Sequence, residues 1–193
     1  NGHSAEDGLN IQYEDHSSGH PKGHYYMAHG GGGNTGKWIG AKGTFLEGGI
    51  RVPFFASWKG KIAAGSTSDN IGMLMDLLPT FCKVAEKEVT HAIDGISLLP
   101  TLLGEEQVTD DRHLFWVRRE GWDYGGQAYY AARYKGYKIL QNSAYEPLEF
   151  FNIEEDELEK TPLNSEDSKV YRKLRMALQE HIKKSGAIPW QKN

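Results

Sequence analysis

Ahead of residue 50 the chain holds no hydrophobic period. Residues 1–49 are dense in glycine, with His3, His16, His20, His24 and His29 strung among polar residues, and neither a 2-residue nor a 3.6-residue alternation persists. Regular helices and strands are therefore expected after this stretch. A loop of this length in a compact protein is usually functional or disordered. Inside it, "GGGNTGKW" (31–38) matches the G-x-x-x-x-G-K portion of a phosphate-cradling loop. The match fails at Trp38, where such a loop needs Ser or Thr for magnesium. It fails again downstream, where "IGAKGTFLEGG" holds four glycines in eleven residues and opposes a helix.

Past residue 49 the pattern becomes legible. "IRVPFFASW" (50–58) is β-branched and aromatic and predicts a strand, with Pro53 confining it to an edge or an irregular course. "DLLPTF" and "SLLPTLLG" each place a capping side chain, Asp76 or Ser97, three residues before a proline that fits the first turn of a helix. The first helix should run to about Glu88 and bury Leu77, Leu78, Phe81 and Val84. The second should end at Gly104 with a left-handed cap. Asp94-Gly95 marks a turn between them. From about Glu105, "RHLFWVRR", "QAYYAARYKGYKILQ" and "PLEFFNIEED" read as strands of an antiparallel sheet. A closing helix is expected after a Ser165 cap, with Val170, Leu174, Leu178 and Ile182 recurring at four-residue steps and Lys183 and Lys184 at its end. The fold class is thus α/β: residues 1–104 form one part, and residues 105–193 a small antiparallel sheet packed by a C-terminal helix.

Composition narrows the function. At 193 residues the chain can hold one good core, or a domain with a small appendage. A formal net charge of -4 without a long basic run argues against nucleic acid or an anionic membrane as partner, and no apolar stretch approaches a membrane span. The start "NGHSAEDGLN" has no initiator Met and no signal-peptide pattern, so a non-native start is expected. Cys82, in "LLPTFCKVA", reads as an inert thiol in an apolar setting; the cysteine count does not settle the compartment.

The densest cluster with chemical potential is "IGAKGTFLEGGIRVP" (39–53). Lys42 stands between Ala41 and Gly43, so nothing bulky shields its ammonium, which suits a compact anion or a solvated turn. Glu47 and Arg51, four apart, are expected to pair and pin the turn. His16, His20 and His24 would face one metal on a helix, but Ser17, Ser18, Gly19, Pro21 and Gly23 oppose that helix.

Those same residues carry a resemblance. "KGTFLEGGIRVP", then "MDLLPTF", then "IDGISLLPTLLG" follow the order seen in the C-terminal part of formylglycine-dependent sulfatases of the arylsulfatase type, in the alkaline phosphatase superfamily, and "NGHSAE" resembles the end of that family's Asp-Asn-Gly metal motif. The pattern continues through "YKILQ" and "EPLEFFNIEEDELEKTPL". The resemblance implies that residues 1–104 are the C-terminal remainder of an α/β sulfatase domain and that the parent protein cleaves a small-molecule or carbohydrate sulfate ester. By it, Asn1 would offer its side-chain oxygen to Ca2+ and Lys42 would contact the sulfate. His3, His29 and Trp38, with Tyr25 and Tyr26 nearby, are candidates for contact with the organic part of the substrate.

Departures from the family pattern shape the expectation. Cys82 is followed by Lys83-Val84-Ala85, not by the family's nucleophile motif, so the formylglycine and the other metal ligands are expected upstream of Asn1. The chain alone should be inactive, and Val52, Phe54, Ala56 and Ile71 should face apolar surface from the missing N-terminal segment. Two other functions remain open: a phosphonate monoester or phosphodiester hydrolase with the same metal-plus-lysine logic, and a non-catalytic module that binds glycan or protein.

Overall fold

In a computed structural model, residues 35–40, 44–119, 128–141, 146–165 and 168–186 are described. Their elements in chain order are α1 (Glu47–Ile50), a 3-10 turn (Leu74–Asp76), α2 (Leu77–Val84), α3 (Leu99–Leu102), β1 (Leu114–Arg119), β2 (Ala128–Tyr134), β3 (Tyr137–Gln141), β4 (Glu149–Asn152) and α4 (Lys169–Ser185). Contacts gather them into two units: the residues up to Val52 together with His113 onward, and Pro53–Arg112.

The aromatic-rich runs form the expected sheet, antiparallel throughout in the order β1-β2-β3-β4. Its register sorts side chains by the two-residue period of a strand. Ala132 pairs with Ile139 and Ile139 with Phe150, and these three pack on Leu174 and Leu178 of α4. One residue along, Ala131 pairs with Leu140 and Lys138 with Phe151. Ala131, Leu140, Phe151 and Ile153 form a second cluster, covered by Phe45, Leu46 and Trp116. One face of the sheet is therefore closed by α4, and the other by the segment that leads into α1.

Helix α4 follows its four-residue apolar spacing. Leu174 and Leu178 are buried, with Val170 and Ile182 packed beside them. Burying each leucine is worth about 1.5–3 kcal/mol. The cap lies three residues later than the sequence suggests: the Ser168 hydroxyl, not that of Ser165, accepts the Tyr171 N–H at 3.1 Å. Lys183 and Lys184 end the helix beside its exposed carbonyls, as expected.

The Pro53–Arg112 unit departs more from its sequence pattern. Residues 51–58 join no ladder among the described residues, and α1 already occupies Glu47–Ile50, so the strand expected over 50–58 is absent there. A strand needs a neighbour to satisfy its backbone, and Pro53 lacks a donor of its own. Helix α2 stops at Val84 rather than Glu88, and Asp76 makes no side-chain cap to it. The Asp76 carboxylate turns instead to the Met73 N–H at 2.7 Å, closing the preceding 3-10 turn, and to Arg112. The face of α2 that is buried carries Thr80, whose hydroxyl donates to the Asp76 carbonyl and accepts the Leu98 N–H. Leu78, Phe81 and Val84, expected inside, are exposed along with Leu74, because no apolar side chain among the described residues covers that stripe. Helix α3 matches its pattern: the Ser97 hydroxyl accepts the Leu99 N–H, Pro100 lies in the first turn, and Gly104 follows at φ 78°.

Candidate functional site

The site is built on the face of the sheet opposite α4. Lys138 alternates with Ile139 along β3, so its side chain points toward Phe45, Leu46 and Glu47 while Ile139 points toward α4. It is fully buried, and so is Glu47. The Lys138 ammonium lies 2.9 Å from Glu47 Oε1 and 2.7 Å from Glu159 Oε1. Glu159 Oε2 accepts the backbone N–H of Glu47 at 2.6 Å. The other Glu47 oxygen lies 3.4 Å from Arg51 Nε and 3.5 Å from an Arg133 guanidinium nitrogen. Three cations thus meet two carboxylates, which is how a protein interior tolerates such charges. Burial pushes the Glu159 carboxyl above its ordinary range; Lys138 and the Glu47 N–H oppose the rise, and the Glu47 charge adds to it.

Glu159 is also held at φ 54°, a left-handed backbone that non-glycine residues seldom adopt. A second tie joins the same turn, from Lys37 to Glu157 at 2.6 Å. With both side chains about half exposed, that pair is worth at most about 1 kcal/mol.

The segment so anchored is "TFLEGGIRV" (44–52). The Gly48 N–H donates to the Ile39 carbonyl at 2.8 Å, closing a loop from 39 to 48. A Cβ on Gly48 would lie 2.4 Å from the Gly40 carbonyl oxygen, 2.7 Å from that of Ile39 and 2.9 Å from that of Trp38. Only glycine allows that approach. Gly40, at φ 92°, packs just as tightly on Thr44 and Leu46.

The five candidate site residues fare unequally. Asn1, His3, His29 and Lys42 lie outside the described residues, as do His16, His20, His24, Tyr25 and Tyr26. Trp38 is half-buried, with the Arg51 guanidinium 3.9 Å from its ring centroid and the Lys37 ammonium at 4.8 Å. The Glu47–Arg51 pair foreseen from spacing is present. Lys37 stands in a turn closed by the Trp38 N–H to the Thr35 carbonyl, and no helix follows over the described residues 38–40; residues 31–34 of the phosphate-loop motif lie outside the described residues. Spacing could not show Lys138 and Glu159, which lie 91 and 112 residues from Glu47. A lysine inside the apolar alternation of "YKILQ" was the signal available. Among the described residues no group of three or more His, Cys, Asp or Glu converges to hold a metal ion.

Residues 37–187 match the family described as "N-sulphoglucosamine sulphohydrolase, C-terminal". The chain belongs to this sulfatase family. Its relatives agree: N-acetylgalactosamine-6-sulfatase of Mus musculus is 40% identical over 89 residues, covering 45% of this chain, and arylsulfatase A of Bos taurus is 33% identical over 120 residues, covering 62%. The matched segment spans only 17% of the mouse enzyme and 23% of the bovine one. Among solved structures, Ps i-CgsB superposes with a TM-score of 0.65 at 25% identity, over 75% of this chain and 31% of that one. BT4656, solved in complex with its substrate D-glucosamine-2-N,6-O-disulfate, gives a TM-score of 0.52 at 28% identity over 63% of this chain and 26% of its own. The sulfatase resemblance, the α/β class and the small sheet with its closing helix are borne out.

Proposed function

We propose that the protein hydrolyses a sulfate ester, R–O–SO3−, with water to the alcohol, inorganic sulfate and a proton. The observation that carries this reading is the family match across residues 37–187, which takes in Lys42. Cleavage of the S–O bond places negative charge on the leaving oxygen and the sulfuryl oxygens, so an ammonium set against them would stabilise the transition state more than the ground state. Lys42 is the proposed donor of that charge. Trp38, backed by Arg51, with His3 and His29, is proposed to contact the organic part of the substrate. A sulfated carbohydrate suits this role, since a sugar stacks on an indole face and the substrate of BT4656 is a glucosamine disulfate.

Calcium and formylglycine belong to the proposal at the level of the whole protein. Calcium would neutralise charge at the sulfuryl oxygens, with Asn1 as one oxygen ligand. The described residues do not form such a centre. Cys82, on α2, is no candidate for the formylglycine, which is proposed to be supplied upstream.

The test uses the protein expressed from its own gene. Aryl sulfate, sulfated amino sugars and a phosphonate monoester are compared, and released sulfate is measured by ion chromatography. Sulfate release, lost by about 10²–10³-fold in kcat on Lys42→Ala, supports the reading. A preference for the phosphonate, or binding of glycan with no turnover of any ester, overturns it.

A further inference from the structure

We infer that the outer face of α4 is a binding surface for a linear sulfated polysaccharide. Lys169, Arg172, Lys173, Arg175, Lys183 and Lys184 are all exposed on this helix, against a single acid, Glu180. Six basic residues and one acid give α4 a formal +5; the whole chain is at -4, which leaves -9 for the remaining residues. The cations are not scattered round the helix. At about 3.6 residues per turn, all but Arg175 fall within about 80° of the line opposite the buried Leu174 and Leu178, and Lys169 and Lys184 are about 22 Å apart along the axis. Spacings of three and four residues disperse this stripe in the sequence, where no more than two of its basic residues are adjacent.

Helix stability does not explain the stripe. Lys183 and Lys184 complement the C-terminal end of the helix dipole, but Lys169, Arg172 and Lys173 crowd its N-terminal turns, where cations are unfavourable and the first turn holds no acid. Lys169 with Lys173, and Arg172 with Arg175, also set like charges one turn apart, which destabilises the helix further. Glu180 pairs with Lys184 at 2.8 Å, while Lys169 and Arg175 make no ion pair among the described residues. The Lys173 ammonium is held over the Tyr134 ring, 3.9 Å from its centroid. A line of exposed cations in an otherwise acidic chain complements a rod of repeating anions. A single glycan strand can lie along one helix, whereas a nucleic-acid duplex or a bilayer is broad enough to meet the acidic remainder as well. Membrane docking also lacks its apolar half, since Leu174 and Leu178 are packed against the sheet. The choice of sulfate as the anion rests on the proposed hydrolysis of a sulfated carbohydrate; the charge complementarity does not.

The test is fluorescence anisotropy with a labelled heparin oligosaccharide, on the protein expressed from its own gene. Lys169→Gln, Arg172→Gln and Lys183→Gln together keep the helix propensity and remove three charges from the stripe. A control carries Lys59→Gln, Lys61→Gln and Lys87→Gln, which removes equal charge from exposed positions of the Pro53–Arg112 unit. With about 0.7 counterion released per contact, the α4 variant should lose about 2 from the slope of log affinity against log salt, and about 10–50-fold in affinity at about 0.15 M salt. The control should stay within about twofold of the parent. Glu180→Gln frees Lys184 and should tighten binding by about fourfold, a gain that misfolding cannot imitate. A parent that binds no heparin, unchanged affinity in the α4 variant, an equal loss in the control, or no gain in Glu180→Gln overturns the binding surface. Duplex DNA, or vesicles of phosphatidylserine and phosphatidylcholine, bound through the same residues as tightly as heparin would overturn its assignment to a sulfated glycan. If no sulfate ester is turned over while heparin binding keeps this dependence, the α4 surface stands and the hydrolysis reading is what falls.

Discussion

Arg112→Ala should open the Pro53–Arg112 unit while leaving the sheet unit closed. In the parent, the fully buried Asp76 carboxylate accepts four hydrogen bonds: two from Arg112 at 2.7 and 2.6 Å, and one each from the N–H groups of Met73 at 2.7 Å and Ile96 at 2.9 Å. The substitution removes the two charge-assisted bonds and leaves a buried anion on two backbone donors. Removing one partner of a buried pair costs about 3–5 kcal/mol; the surviving donors place this case near the lower end, about 3 kcal/mol. Leu98 is the only buried apolar side chain described in this unit, so little packing offsets the loss. Three kilocalories correspond to more than about a hundredfold in the open population. Hydrogen exchange read by mass spectrometry over residues 71–112 should rise by that factor, with β2, β3 and α4 unaffected. The acid limb adds a second reading. Burial alone would raise the Asp76 carboxyl, but Arg112 and the Ile96 and Met73 N–H groups outweigh it and hold it below its ordinary value of 3.8. The stability it confers is therefore present above about pH 3.8 and is lost as pH falls through the lower folded value. Without Arg112, burial dominates and the loss should begin at higher pH. Protection of 71–112 within twofold of the parent, together with an unmoved acid transition, would refute this account.

Gly48→Ala must displace three backbone carbonyls and should destabilise the sheet unit by about 1–3 kcal/mol, seen as a lower thermal midpoint and as lost protection of residues 39–50. Leu178→Ala, at the centre of the α4 contact, should cost about 2–5 kcal/mol in denaturant unfolding with an unchanged m-value. Lys37→Ala breaks the exposed pair with Glu157 and the contact with the Trp38 ring and should leave kcat near the parent value, in contrast to Lys42→Ala; equal losses in the two would show that the anion site is assigned to the wrong lysine. The 193-residue chain by itself should bind a hydrophobic dye through Phe54, Phe55, Leu74, Leu78 and Phe81, and a dye-silent monomer would show that these side chains find cover.

What could be read in advance followed the range of the interactions involved. The strands and α4 announce themselves through local alternation, and the Glu47–Arg51 pair through four-residue spacing. Asp76 misled because a cap and a buried ion-pair partner have the same side chain, and its partner lies 36 residues away. Leu78, Phe81 and Val84 misled because helical spacing reports which residues share a face and not whether another surface meets it. Of the site, the glycine-rich segment was visible as a cluster, but Lys138 and Glu159 were not. Nothing in a one-dimensional pattern distinguishes a lysine facing a carboxylate across a sheet from one facing water.

The distances along the chain between Glu47 and its partners also order events in time. Glu47 is synthesised well before Lys138 and Glu159, 91 and 112 residues ahead of them. While the ribosome is making the intervening stretch, the segment around Glu47 has neither its complete sheet to lie on nor its buried partners Lys138 and Glu159, and at about 5–20 residues per second the wait is several seconds to about twenty. The segment around Glu47 is thus among the last parts to acquire its final form, and it does so by long-range closure rather than by local propensity. A nascent chain halted before residue 159 would display Glu47 without the carboxylate that accepts its backbone N–H.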